Sequence, residues 1–145
     1  MEYNSDNIFA KIIRKEVTIP AHVIFETDVS IAILDAFPAT AGHSLLIPKC
    51  EAVTLADLAT QDHLFCGNLM QDLARLNKIV SSFRKTTAVN TVVNSLPDSG
   101  QLVPHLHFHV LPRSAGDNLL RHPKSAASMI SPEEAKSVLG DMKST

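Results

Sequence analysis

Three histidines, His105, His107 and His109, alternate with Leu106, Phe108 and Val110 in the segment QLVPHLHFHVL. An extended strand repeats every two residues, so the imidazoles are expected on one face and the apolar side chains on the other. At about 3.3 Å per residue, a straight strand would hold the outer two rings roughly 13 Å apart. A zinc ion binds nitrogen at about 2.1 Å, so one ion cannot take all three without a sharp bend. A metal site using two of them is one competing reading, and three unrelated buried histidines is another. The row suits a different task better, that of lining a phosphate, because imidazole attacks phosphorus and exchanges protons near neutral pH. The loop NSLPDSGQ (94–101) lies just ahead. There Gly100 would let the backbone approach a ligand, with exposed N–H groups to receive phosphate oxygens.

The elements that must position these groups are legible from periodicity. Residues 6–16 read as a short amphipathic helix, with Ile8, Phe9, Ile12 and Ile13 at helical spacing, stopped by Pro20. Short strands follow at 22–26, 31–34 and 44–47, the first two joined by a Thr27-Asp28 turn. Phe65, Leu69, Leu73, Leu76, Val80 and Phe83 form one apolar stripe. They predict a helix over 60–83, about six turns long, with Thr60 as its N-cap. TAVNTVVN (87–94) and 106–111 read as two further strands, and Ser131-Pro132-Glu133-Glu134 opens a last helix. The order predicts an α+β fold: an antiparallel sheet of about five strands with one long and one or two short helices.

These residues resemble the histidine-triad (HIT) nucleotide-binding family. The triad segment fits the family pattern of a glutamine, three apolar positions and three histidines separated by single apolar residues. NIFAKIIRKE (7–16) and ILDAFPATAGHSLLIPK (33–49) resemble the Hint-like branch, the nucleoside phosphoramidases. The likeness spans residues 7–113.

The resemblance implies roles for named residues. His107 would attack the α-phosphorus and carry a covalent nucleotidyl group. His109 would contact the phosphate and assist the leaving group, and His105 would support them through a hydrogen bond with His43. Asn94, Gly100, Gln101 and Leu102 would surround the phosphate, and Asp35 would accept hydrogen bonds from ribose hydroxyls or, more simply, cap the turn before Pro38. Ile8, Phe9, Ile12, Ile33 and Leu34 would wall a purine. His22, His63 and His122 match no motif and are expected at the surface.

Three departures bear on the branch. Leu102 stands where phosphoramidases usually carry a hydroxyl. Asn7, Ala10 and Glu51 stand where some members bind zinc, so neither metal nor cofactor is expected. The Pro112-Arg113 pair also occurs in dinucleoside polyphosphate hydrolases. Residues 1–113 are expected to form the HIT nucleotide-binding domain, with 114–145 as an extension packed on it. The family usually forms homodimers through its long helix and the strand that follows.

Bulk properties exclude other classes. A net charge of −2, low aromatic content and no tryptophan give no footprint for nucleic acid or anionic membrane. No apolar run is long enough for a membrane span, no signal peptide is visible, and Cys50 and Cys66 read as reduced thiols of a cytoplasmic protein. The expected function is therefore a nucleotide hydrolase or nucleotidyl transferase. It would act at the α-phosphate of purine nucleotide conjugates of the phosphoramidate type, through nucleotidyl-histidine. Dinucleoside polyphosphate hydrolysis and nucleotide binding with weak catalysis are the alternatives.

Overall fold

A computed structural model describes residues 1–16, 21–120 and 128–144. Pro20 and His122 lie outside the described residues. The chain runs α1 (Ile8–Ile13), β1 (Val23–Glu26), β2 (Ser30–Leu34), β3 (Ser44–Pro48), α2 (His63–Ser81), β4 (Ala88–Val93), β5 (Phe108–Arg113) and α3 (Pro132–Lys143). Short 3-10 helices lie at Leu55–Thr60 and Pro97–Ser99. The five strands form one antiparallel sheet in the order β1-β2-β3-β5-β4. The α+β expectation is met, with a five-stranded sheet.

Strand alternation sorts the core into two layers. Ala32, Leu46, Phe108 and Val110 face α2 and pack with its buried stripe Leu69, Leu73, Leu76 and Val80. Ile31, Ile33, Leu45 and Ile47 face the other way and pack with Phe9 of α1. Asp72 ties α2 to the β1–β2 turn by accepting hydrogen bonds from Thr27 Oγ1 (2.6 Å) and Ser30 Oγ (2.7 Å).

Helix boundaries differ from the sequence reading for local reasons. α1 starts after Asn7, whose side chain accepts the Ala10 N–H, and is shorter than 6–16. α2 is capped by Asp62 rather than Thr60, because the Asp62 carboxylate accepts the N–H groups of Leu64 and Phe65. Thr54 and Asp57 form their own capping box upstream and spend 55–60 on a 3-10 turn. α3 begins behind Ser131 as expected, and none of its residues is buried.

Candidate active site

β5 begins at Phe108, later than the expected 106, so only His109 lies in the strand proper. Pro104 has no N–H to give a ladder, and the His105 N–H turns inward to the Val103 carbonyl at 2.8 Å. The alternation nevertheless persists. Leu106, Phe108 and Val110 enter the α2-facing core. His107 and His109 stand together on the opposite face with ring centroids 4.9 Å apart. Phe9 of α1 lies edge-on against His107 at 4.9 Å.

The hydrogen-bond partners assign the imidazole protons. A carbonyl only accepts, so His107 Nδ1, 2.7 Å from the His105 carbonyl, carries its hydrogen. His107 Nε2 is left with a lone pair. His43 Nδ1 accepts the Ala39 N–H at 3.0 Å, so neutral His43 is protonated at Nε2. That hydrogen points to His109 Nδ1 at 3.0 Å, with Asp35 Oδ2 at 3.4 Å as a second acceptor. His109 therefore presents its own hydrogen at Nε2. Neither His107 Nε2 nor His109 Nε2 has a partner among the described residues. No buried side-chain nitrogen or oxygen there lacks one, so both atoms reach solvent. The site thus offers a nucleophilic nitrogen beside a hydrogen-bond donor.

Electrostatics keep these rings neutral. Burial lowers the pKa of His43, His105 and His107, and burial with the neighbouring His107 and His43 lowers His109 to about 4. The Asp35 carboxylate opposes this shift at His43, His107 and His109 without overcoming it. A neutral His107 is the form that can attack phosphorus.

One expected pairing is corrected. His105 does not bond His43; His43 bonds His109. The sheet register is the reason: Leu45 pairs with His109, which sets His43 diagonally beside it. His105 falls at the far end of β3, where its Nε2 lies 2.9 Å from the Pro48 carbonyl. Nor does His105 open to the pocket as part of an even row. It is 1% exposed, covered by Tyr3, whose hydroxyl sits 2.8 Å from Nδ1.

The other named residues divide by what their polar atoms already do. Asp35, at the end of β2, accepts the Phe37 N–H at 2.8 Å through Oδ1 and so does cap its turn, while Oδ2 faces His43. Gln101 is buried and braces the loop: its Oε1 accepts the Leu96 N–H and its Nε2 donates to the Val53 carbonyl, both at 2.7 Å. Its side-chain amide thus ties the loop to the chain after β3 through one Nε2 hydrogen and Oε1. Gly100 adopts φ +95 with the Asn94 amide close by, which leaves an open backbone at the loop tip. Leu102 is 93% exposed beside it in sequence. Ile8 and Leu34 are exposed enough to meet a base, whereas Phe9 and Ile33 are core residues, and Ile12 packs against that core. His22 and His63 are exposed. Arg113 is held by Asp117 and Asn90.

Asp35, His43 and His109 also bring three potential metal-ligand atoms within 4.8 Å of one another, although these groups already satisfy each other by hydrogen bonds. Burial pushes the Cys50 thiol up to about 11, which disfavours its thiolate form. Sequence reasoning missed Tyr3, the Ala39 N–H and the Pro48 carbonyl. The two main-chain groups leave no trace in residue type, and Tyr3 is separated from its partner by 102 positions.

Comparison with known proteins follows the same lines. The HIT domain matches residues 16–116. An uncharacterized HIT-like protein of Synechococcus elongatus is 36% identical over 108 residues, 74% of this chain and 90% of its own length. Adenylylsulfatase HINT3 of Arabidopsis thaliana is 29% identical over 137 residues, 88% of this chain and 67% of its own. The crystal structure of a Hit-like protein involved in cell-cycle regulation from Bartonella henselae superposes with a TM-score of 0.71 at 34% identity, covering 79% of this chain and 84% of that one.

Proposed function

The chain belongs to the HIT domain family, and from that premise we propose that it hydrolyses purine nucleotide conjugates at the α-phosphate through a nucleotidyl-His107 intermediate. The observation that carries this reading is the pair of accessible Nε2 atoms on adjacent rings, one a lone pair and one a donor. In the first step the His107 Nε2 lone pair forms the N–P bond as the bond from phosphorus to the leaving group breaks. The leaving group departs with that electron pair, accepts a hydrogen bond from the His109 Nε2–H and takes its proton from solvent. The His43 N–H at His109 Nδ1 strengthens that hydrogen bond. In the second step water attacks phosphorus, loses its proton to solvent and releases His107, whose N–P bond breaks, with the nucleoside monophosphate. Splitting the reaction lowers each barrier.

Loop N–H groups near Gly100 and His109 would hold the non-bridging oxygens. Asp35 would exchange its turn and His43 contacts for ribose hydroxyls, and Ile8 and Leu34 would flank the base. A phosphoramidate is the preferred substrate class. The adenylylsulfatase among the relatives adds adenylyl sulfate to the panel worth testing. Exposed Leu102, in place of a hydroxyl, favours slow turnover as the second reading.

Replacing His107 by Asn keeps an N–H donor near the position of Nδ1 and removes the nucleophilic Nε2. Nucleotide affinity should survive in calorimetry, while hydrolysis falls by about 10³-fold or more. Rapid quench and mass spectrometry of the wild-type chain should trap the nucleotidyl adduct on His107. Wild-type turnover in the variant, or an adduct elsewhere, defeats the covalent route.

A further inference from the structure

Tyr3 belongs to no helix or strand, yet its hydroxyl reaches 2.8 Å from His105 Nδ1 and its ring lies edge-on to that imidazole at 5.5 Å. The direction of this bond follows from the other side of the ring. His105 Nε2 faces the Pro48 carbonyl at 2.9 Å, so Nε2 carries the hydrogen and Nδ1 the lone pair. Tyr3 therefore donates. His105 is consequently held at four points: its N–H by Val103, its two ring nitrogens by Tyr3 and Pro48, and its carbonyl by the His107 Nδ1–H. The last contact fixes the tautomer of the proposed nucleophile. The same N-terminal arm, through Asn4, Asp6 and Asn7, walls a cavity of about 250 Å³ with Leu102 and Pro104, which lead into His105.

We propose that Tyr3 is a positioning residue: its hydroxyl satisfies the Nδ1 lone pair of His105, reinforces the Nε2-protonated tautomer that the Pro48 carbonyl selects, and thereby steadies the main-chain carbonyl on which His107 is oriented. The N-terminal arm is by this route a working part of the site. The kinetic part of this inference rests on the reading of His107 as nucleophile, while the tautomer part does not. The titratable neighbours of His105 are Tyr3 from the arm and His107 from its own segment. Loss of the donor leaves a buried lone pair, and the neutral ring then takes a proton more readily.

Tyr3→Phe removes only the hydroxyl. Long-range proton–nitrogen NMR on the full chain should show the wild-type His105 Nε2–H pattern across neutral pH and a slowly exchanging His107 Nδ1–H. In the variant, His105 should titrate at higher pH and the His107 signal should broaden. On an adenosine phosphoramidate, kcat should fall about tenfold with KM within about twofold, and the acid limb of kcat should move to higher pH. Tyr3 is the one tyrosine of the chain, so biosynthetic 3-fluorotyrosine alters this hydroxyl alone. As a stronger donor it should keep the tautomer and move the limb the other way.

An unchanged His105 tautomer and titration in Tyr3→Phe overturns the proposal. So does an altered tautomer with unaltered kcat and His107 signal. If the wild-type chain hydrolyses no nucleotide conjugate, the hydrolytic reading falls, and the NMR comparison alone decides whether Tyr3 sets His105. Circular dichroism separates either result from unfolding.

Discussion

At the scale of the residue, the decisive quantity is where each imidazole keeps its hydrogen. Burial lowers the pKa of His107 from its usual value near 6.5, so the proposed nucleophile should stay neutral in mildly acidic solution. His109, lowered to about 4, stays in its neutral form over the same range. The acid limb of kcat/KM, which reports the free enzyme, should therefore fall below about pH 6.5. A limb well above that value would show that the rings are not desolvated as their packing indicates. The alternation of His105, His107 and His109 was readable from sequence because it depends only on strand period. The partners were not. His43 meets His109 and not His105 because of the β3–β5 register, and no spacing within either segment records a register.

At the scale of the element, the loop between β4 and β5 carries local strain. Leu96 has φ 72 and ψ 162, a region that glycine alone occupies comfortably. The Gln101 side chain holds it there by accepting the Leu96 N–H and anchoring to Val53. Such a conformation costs about 1–3 kcal/mol, and the extra freedom of glycine in the unfolded chain gives back about 0.5–1. Leu96→Gly should therefore stabilise the protein by about 1 kcal/mol, seen as a rise in Tm of about 3 °C. A lower Tm would mean that the Leu96 side chain contributes more than its backbone costs. Turn composition marked this stretch as a loop, but residue types pointed to Gly100 as its special position and gave no hint of Leu96. Helix starts were blurred likewise: both Thr60 and Asp62 are good caps by type, and only the preceding 3-10 turn decides for Asp62.

At the scale of the whole molecule, the buried rings tie stability to pH. His43, His105, His107 and His109 have folded pKa values below their unfolded ones. Above about pH 6.5 both states are neutral at these rings, and they impose no penalty. Below it the unfolded chain binds protons that the folded chain refuses, so unfolding free energy should drop as pH falls from about 6.5 towards 4. Denaturant titrations at pH 7, 6 and 5 would check the sign; a flat profile would contradict it. β4 lies at the sheet edge with its pairing groups on one side open. With half-exposed positions along it, it favours the expected two-fold pairing with a second copy. Sedimentation should then give twice the 15.8 kDa chain mass, and a single-chain mass would refute the pairing. Among the described residues no helix is long and apolar enough to cross a membrane.

The atoms that assign protons to His43, His105 and His107 are the Ala39 amide and the Pro48 and His105 carbonyls. These are features of the peptide chain that any residue would bring, save that the amide needs a residue other than proline at 39. Apart from Tyr3 at His105 Nδ1, drift among outer side chains can thus leave the hydrogen pattern of the centre untouched. A polypeptide that reaches this fold already carries its ring hydrogens where the proposed chemistry would use them.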